Sequence, residues 1–183
     1  MKRVLIIYAS SHGQTLAITN VLVRELRSLG FEVTARSALG RNRLPPPDDF
    51  DAIVLGSRVQ FGRHAPAIVG YLHQYGGVLR TMPTAFFSVS MAATNGSTDP
   101  NGYLDATLAP LGWRPNVAAA IAGGLPYRQY NWALRFVMKQ ISKNAGHTTD
   151  TSRDHVFTNW DQVRVLATDI ATLARGLEHS HAS

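Results

Sequence analysis

The feature that most constrains the fold of this chain is the continuous apolar run Val4–Tyr8. Such a run of aliphatic and aromatic residues is typical of a strand buried on both faces, as in a parallel sheet. A polar loop follows, and apolar residues then recur at helical spacing until Gly30, which is expected to end the helix. The next apolar segments, Phe31–Arg36 and Ala52–Gly56, are expected to be strands. This order of elements predicts a doubly wound α/β sheet.

The same alternation continues along the chain. We expect helices at Pro66–Tyr75 and Tyr103–Leu111, strands at Pro83–Val89, Val117–Ile121 and His155–Phe157, and a last helix that begins with the capping pattern Thr158-x-x-Asp161. The long segment Leu125–Arg153 interrupts the alternation, and we interpret it as an insertion within one domain. That domain is predicted to span residues 1–176, with a flexible tail at 177–183.

The composition excludes several kinds of chemistry. The 183 residues include no cysteine, which rules out disulfide scaffolds, iron–sulfur clusters and thiol nucleophiles, so any redox chemistry must use a bound cofactor. No apolar run approaches the roughly 18–20 residues of a membrane-spanning helix, and we expect a cytoplasmic protein. The net charge of +6 favours anionic partners. The cations and aromatic residues do not follow a nucleic-acid recognition motif, so no nucleic-acid partner is expected. His179 and His181 lie in the tail without a nearby carboxylate, so no metal site is expected either.

A first candidate site is the loop from Ser10 to Thr15, between the first strand and the first helix. Small hydroxyl residues and Gly13 allow backbone N–H groups to close around an anion at a helix N-terminus, and a phosphate is the natural ligand. The loop lacks the lysine of a Walker motif and the spacing of a dinucleotide-binding motif. The alternative is a capped turn, in which the hydroxyl groups accept from the helix donors.

Two further loops are expected at the same edge of the sheet, where ligands bind in open parallel sheets. The loop Ser57–His64 combines Phe61 with Gly62, so a planar aromatic ligand could lie against the ring. Phe61 could equally be a core residue at the base of the loop. The loop Ser88–Ala92 offers small residues for the opposite side of a flat ligand.

These motifs resemble those of known proteins. The first loop resembles the phosphate-binding loop of flavodoxins. The residues in the usual positions are Ser10, Ser11, Gly13 and Thr15, whereas His12 and Gln14 stand where Thr and Asn are common. Other segments are similar, in chain order, to the flavodoxin-like, menaquinone-dependent protoporphyrinogen oxidases. They are Met82–Val89, Trp113–Pro115, Ile121–Leu125, Tyr127–Trp132, Arg135–Phe136 and Thr149–Thr151.

The resemblance implies a flavodoxin-like fold and an activity. The fold is a five-stranded parallel sheet of order 2-1-3-4-5, with an insertion at about 125–153 that splits strand five. The activity is FMN-dependent oxidation of protoporphyrinogen IX to protoporphyrin IX in heme biosynthesis. Electrons pass to a respiratory quinone, menaquinone or ubiquinone. The protein is then expected to associate peripherally with the inner face of the cell membrane.

Matching positions imply three groups of FMN-binding residues. The phosphate group would be held by Ser10, Ser11, His12, Gly13, Gln14 and Thr15. The isoalloxazine ring would be bordered by Arg58, Val59, Gln60, Phe61 and Gly62, and lined on its opposite side by Ser88, Val89, Ser90, Met91 and Ala92. No catalytic acid or base and no oligomeric state is assigned.

The insertion carries a basic, amphipathic pattern. No acidic residue occurs between Asp105 and Asp150. The residues expected to contact the substrate or the membrane are Arg128, Tyr130, Trp132, Arg135 and Lys139. The alternative is an ordinary surface helix whose apolar stripe packs on the sheet.

Two other functions remain open from the sequence. One is an electron-carrier flavodoxin without a substrate of its own, although such carriers are usually acidic and this chain has a net charge of +6. The other is a quinone reductase that takes electrons from NAD(P)H.

Overall fold

The structure, a computed structural model, describes residues 1–40, 43–90, 108–125, 155–156 and 158–176. The strands are β1 (Arg3–Ala9), β2 (Glu32–Ser37), β3 (Ala52–Gln60), β4 (Arg63–His64), β5 (Thr84–Ser90), β6 (Val117–Ala122), β7 (Gly124–Leu125) and β8 (His155–Val156). The helices are α1 (Gln14–Ser28), α2 (Pro66–Leu79) and α3 (Trp160–Arg175), with 3-10 turns at Pro47–Asp49 and Ala109–Leu111. The predicted tail at 177–183, residues 103–107 of the predicted helix Tyr103–Leu111 and nearly all of the insertion lie outside the described residues.

Five parallel strands form the main sheet in the order β2-β1-β3-β5-β6. When only these strands are counted, the order is 2-1-3-4-5, and the prediction is confirmed. The short strand β4 adds to this sheet by pairing antiparallel with β3. Helix α1, which connects β1 to β2, packs on one face of the sheet, and α2, which connects β3 to β5, packs on the other. The fold is therefore doubly wound.

A hydrophobic core lies on each face of the sheet. Ile6 of β1 belongs to the core that also contains Ile18 of α1 and Ile170 of α3. The neighbouring Ile7 faces the opposite side and belongs to the core that contains Ile68 of α2. Every residue from Val4 to Ile7 is fully buried, as the continuous apolar run predicted.

The first helix ends as the sequence predicted, at a glycine in the left-handed region. Gly30 has φ +88°, and its N–H donates to the Arg27 carbonyl while the Phe31 N–H donates to the Leu26 carbonyl. These two bonds form a Schellman motif. Phe31 is 5% exposed and belongs to the core, so it closes the helix end and β2 begins only at Glu32.

Other boundaries differ from the predictions for physical reasons. Helix α2 continues through Gly76 and Gly77 to the buried Leu79, whose carbonyl accepts from the Trp113 indole at 3.2 Å. Helix α3 begins after Asn159, whose Oδ1 accepts from two first-turn amides at 3.0 and 3.2 Å. The predicted cap residue, Thr158, makes other hydrogen bonds, so that detail of the prediction is wrong.

The segments that flank the insertion pair with each other. Strand β7 pairs antiparallel with β8, in the register Gly124 with Val156 and Leu125 with His155. We expected the second segment to extend the fifth strand of the main sheet, but β7 and β8 form a separate two-stranded sheet. The insertion therefore leaves and rejoins the domain at one place, just after β6.

We expect Gly56→Ala to destabilise the fold. A Cβ at this position would lie 2.2 Å from Cζ of Phe87, whose ring is fully buried between the strands and the helices. The overpacking should lower the free energy of unfolding by roughly 2–3 kcal/mol. Urea denaturation monitored by circular dichroism measures this change. Gly70→Ala is the control, because a Cβ there would meet no other atom within 4 Å and helix propensity favours alanine by about 0.5–1 kcal/mol. Equal stability of the two variants would contradict the packing argument.

Candidate functional site

The site lies where the winding direction of the sheet reverses, between β1 and β3. These strands are paired along their length, and the last pair is Ala9 with Ser57. From this pair the chain turns into α1 on one face and into α2 on the other, so the two following loops flank a crevice. Such a crevice at the carboxyl ends of the strands is the usual ligand position in open α/β sheets.

The first wall of the crevice is the turn from Ser10 to Gly13, which leads into α1. Gly13 has φ +87°, a conformation that favours glycine, and it occupies the N-cap position of the helix. No side chain caps this N-terminus, and its first turn contains no acidic residue. The described contacts therefore do not support the alternative of hydroxyl groups that cap the helix. The free N–H groups and the helix dipole favour an anion here.

One hydroxyl group in this turn has an unmet hydrogen-bonding capacity. Ser10 Oγ is buried and has no hydrogen-bond partner among the described residues. Leaving a buried polar group unsatisfied costs free energy, so such a group is usually explained by a missing ligand, water or functional role. Ser11 is exposed beside it and His12 is half-buried. The turn thus places an unsatisfied donor next to uncapped amides.

Gln14 and Thr15 have structural contacts. Gln14 Nε2 donates to Thr158 Oγ1 at 2.6 Å, and Thr158 Oγ1 donates to the carbonyl of Ala122 at 2.7 Å. Thr15 is 2% exposed, and its carbonyl accepts from Thr19 Oγ1 at 2.8 Å. At these two positions the backbone, rather than the Gln14 side chain, is the part available to a ligand. The Gln14 bond also fixes the start of α1 to the end of β6.

The second wall is a β-hairpin that the sequence patterns did not predict. Strand β3 runs to Gln60 rather than to Gly56, and a two-residue turn returns the chain into β4. Both turn residues have positive φ, 51° at Phe61 and 73° at Gly62, as a type I′ hairpin requires. Phe61 is 75% exposed at the tip, so the alternative that places it in the core is wrong.

A buried serine holds the base of this hairpin. Ser57 Oγ accepts from the Ala65 N–H at 3.0 Å and donates to the Arg58 carbonyl at 3.0 Å. Both Ser57 and Ala65 are almost fully buried. These bonds tie the chain after β4 to the end of the central strand, and they fix where the tip can lie.

A pocket of about 500 Å³ opens at the hairpin, and we call it the hairpin pocket. Its lining residues are Arg58, Gln60, Phe61, Arg63, His64 and Pro66. Arg58 Nη1 donates to Gln60 Oε1, whereas Arg58 Nε is buried without a partner among the described residues. Arg63 and His64 belong to the predicted loop Ser57–His64 but were not among the predicted FMN-binding residues, and Pro66 lies outside that loop. The signal for them is Gly62, because glycine favours the positive φ of a two-residue turn that folds the following residues back against β3.

The third group of predicted site residues is only partly described. Ser88 and Val89 are buried within β5, and Val89 contributes to the core beneath α1. Ser90 ends the strand, and its carbonyl accepts from the Gly123 N–H at 3.0 Å. Met91 and Ala92 lie outside the described residues. So do the predicted contact residues of the insertion, Arg128, Tyr130, Trp132, Arg135 and Lys139.

Among the helices in the described ranges, none combines the length and apolar character needed to cross a lipid bilayer.

Comparison with known sequences gives consistent relatives. A family model described as the flavodoxin domain matches residues 5–152. Protoporphyrinogen IX dehydrogenase (quinone) of Escherichia coli strain K12 is 33% identical over 174 residues, covering 93% of this chain and 96% of that protein. The protein of the same name from Leishmania major is 29% identical, covering 92% of this chain and 74% of its own length.

Solved structures show the same fold at low sequence identity. Oxidised flavodoxin 1 from Bacillus cereus superposes with a TM-score of 0.58 and 12% identity, covering 96% of this chain and 99% of that chain. A flavodoxin from the domain Archaea superposes with a TM-score of 0.53 and 14% identity, covering 94% and 99%.

We expect Ser57→Ala to loosen the hairpin. The substitution leaves the buried Ala65 N–H without an acceptor, which should lower the free energy of unfolding by about 1–3 kcal/mol. Ser37→Ala is the matched control, because Ser37 Oγ accepts from the Leu39 N–H at 3.2 Å on the exposed surface. Water replaces that acceptor, so the change there should stay within about 0.5 kcal/mol. Urea titration measures both, and an equal loss in the two variants would contradict the role of the buried bond.

Proposed function

This chain belongs to the flavodoxin-domain family, in the group of quinone-dependent protoporphyrinogen IX dehydrogenases, and we propose that it catalyses the same oxidation. The substrate is protoporphyrinogen IX and the product is protoporphyrin IX. The oxidation proceeds in three two-electron steps, and each electron pair passes to a membrane quinone. The observation that carries the proposal is the 33% identity over 93% of this chain and 96% of the Escherichia coli enzyme. A match of that extent spans nearly the whole length of the relative.

The proposed cofactor is FMN, and the residues of the first turn fit its phosphate group. Uncapped N–H groups begin α1, Gly13 leaves open space within 4 Å of the position of a side chain, and Ser10 Oγ has no other partner among the described residues. These groups bind a phosphate better than they bind a neutral ligand, because the helix dipole and the donors all favour negative charge. FMN, when bound, supplies the capacity to accept a hydride and to return electrons to a quinone.

The protein contributes position and environment to this reaction. The backbone of Ser10 to Thr15 would hold the phosphate group of FMN, and the hairpin from Arg58 to Gly62 would border its ring system. Ser57 keeps the hairpin at a fixed distance from the first turn through its bond to the Ala65 N–H. Ser90, at the end of β5, would border the opposite side of the ring in this proposal. Preorganised groups of this kind lower the cost of bringing the reactants together.

The proposal also includes a peripheral position at the inner face of the membrane. Respiratory quinones, menaquinone or ubiquinone, partition into the hydrocarbon phase, so an enzyme that reduces them must reach the lipid surface. The net charge of +6 supports attraction to an anionic leaflet, at about 1 kcal/mol for each cation near the surface. The basic residues of the insertion are the proposed contacts.

The direct test is anaerobic reduction of the purified, FMN-loaded protein. We expect protoporphyrinogen IX to bleach the flavin absorbance and a soluble quinone to restore the flavin spectrum. With the quinone in excess, three such two-electron cycles should yield fluorescent protoporphyrin IX. Bleaching by NAD(P)H but not by protoporphyrinogen would indicate a quinone reductase instead. Bleaching by neither, with rapid electron exchange between the flavin and a partner protein, would indicate an electron carrier.

Ser10→Ala should separate the cofactor role of this serine from any structural role. In the apoprotein the substitution removes an unsatisfied buried hydroxyl group, so the free energy of unfolding should stay the same or rise. In the holoprotein it removes a hydrogen bond to a charged group, and the FMN dissociation constant should rise by roughly 10-fold to 100-fold. Flavin fluorescence titration and urea denaturation of the apoprotein measure the two effects.

The control is Ser28→Ala at the other end of α1, where Ser28 Oγ donates to the Glu25 carbonyl at 2.7 Å. An unchanged FMN affinity in Ser10→Ala would contradict the phosphate assignment.

A further inference from the structure

We propose that the hairpin pocket binds a propionate carboxylate of the tetrapyrrole, with Arg58 and Arg63 as the groups that recognise it. This inference rests on the proposed function, because it assigns a subsite to the substrate of that reaction. It adds a charge-recognition site that is separate from the phosphate-binding turn.

The side chains that line the pocket carry positive charge, which favours binding of an anion. Two arginines line it, no acidic side chain does, and neither arginine has an ion pair in the part of the chain that the structure describes. Arg58 Nε is buried without an acceptor, and the one partner of its guanidinium among these residues is the neutral amide oxygen of Gln60. A buried charged donor without an anionic partner is costly, and a carboxylate that enters the pocket removes this cost.

The hairpin pairing places these groups together. Arg58 and Gln60 are two positions apart on β3, so their side chains lie on the same face of the strand. Arg63 lies directly opposite Gln60 on β4. The three polar side chains therefore share one face of the hairpin. Because Ser57 anchors the base of the hairpin, the two guanidinium groups approach the pocket from a common, fixed support.

The apolar lining matches the remainder of such a ligand. Phe61 is exposed at the tip beside the guanidinium groups, and Pro66 lines the same pocket. A propionate on a pyrrole ring presents a carboxylate next to an apolar ring, which is the same combination. The volume of about 500 Å³ lies within the range of roughly 300–1,000 Å³ that is usual for small-molecule pockets.

The other reactants do not meet this requirement. FMN has one strongly anionic group, its phosphate, and the first turn is already suited to hold it. The quinone is uncharged. The tetrapyrrole, which carries propionate side chains, is therefore the reactant that brings a second anion to the site.

The test compares a ligand that has carboxylates with one that lacks them. Protoporphyrin IX and its dimethyl ester, both in neutral detergent micelles, are titrated against the FMN-loaded protein, and porphyrin fluorescence reports binding. Arg63→Gln is the variant, because the Arg63 side chain is exposed and makes no hydrogen bond among the described residues, while its backbone pairing with Gln60 is unaffected by the change. Arg24→Gln is the control: it removes the same charge from α1, where Arg24 pairs with Glu25 on the surface.

We expect Arg63→Gln to weaken binding of the free acid by roughly 10-fold, a typical effect for one charge-assisted hydrogen bond, and to leave binding of the ester unchanged. Arg24→Gln should change neither. Equal affinities of wild type and Arg63→Gln for the free acid would overturn the proposal. So would an equal loss for acid and ester, since the pocket would then recognise the ring alone. A higher dissociation constant for FMN in Arg63→Gln would overturn it as well, because the arginine would then serve the cofactor.

Kinetics distinguish failure of this inference from failure of the proposed function. With protoporphyrinogen IX, Arg63→Gln should raise KM by roughly 10-fold at an unchanged kcat, because the carboxylate contact is the same in the ground state and the transition state. Wild-type turnover with an unchanged KM in the variant would uphold the function and overturn the pocket. Selective binding of the free acid that is weakened in Arg63→Gln, without any turnover by wild type, would uphold the pocket and overturn the function.

Discussion

The parallel pairing of β1 with β3 is the interaction on which the rest of this structure depends. Six consecutive pairs, from Val4 with Ala52 to Ala9 with Ser57, join two strands that are buried on both faces. Because the chain winds in opposite directions from these two strands, their carboxyl ends are left uncovered by the helices. Both walls of the site begin at the last of these pairs. The stability of the core and the location of the chemistry thus have one origin.

The sequence was a good guide wherever a local pattern determines the structure. Continuous apolar runs identify strands that are covered on both faces, and Gly30 marks the end of α1 because only glycine adopts its φ without strain. The first turn was also singled out from the sequence, because short hydroxyl residues with Gly13 stand between a buried strand and a helix. Its role in holding a phosphate stays a prediction. Sheet order followed from the resemblance to flavodoxins rather than from the residues alone.

The sequence failed where tertiary contacts choose between equivalent local options. Thr158 and Asn159 are both good cap residues, and Asn159 caps α3 because Thr158 is engaged with Gln14 and Ala122. The predicted strand ended at Gly56 because the polar residues Arg58 and Gln60 do not fit the pattern of a buried strand. In the structure β3 continues to Gln60, because its last residues pair with β4. An aromatic residue is usually interior, so the exposure of Phe61 follows from its backbone conformation and not from its side-chain type.

The contact of Gln14 with Thr158 has a consequence for biosynthesis. The two residues are 144 positions apart, and the bond joins the first helix to a residue near the far end of the chain. During translation the amino-terminal strands and α1 emerge long before their brace has been made. A nascent chain can therefore bury its central strands early, but the turn before α1 acquires this support only after Thr158 has been synthesised and α3 has docked. Any role that needs the first turn in its final position is therefore acquired late, once α3 has been synthesised and has packed against α1.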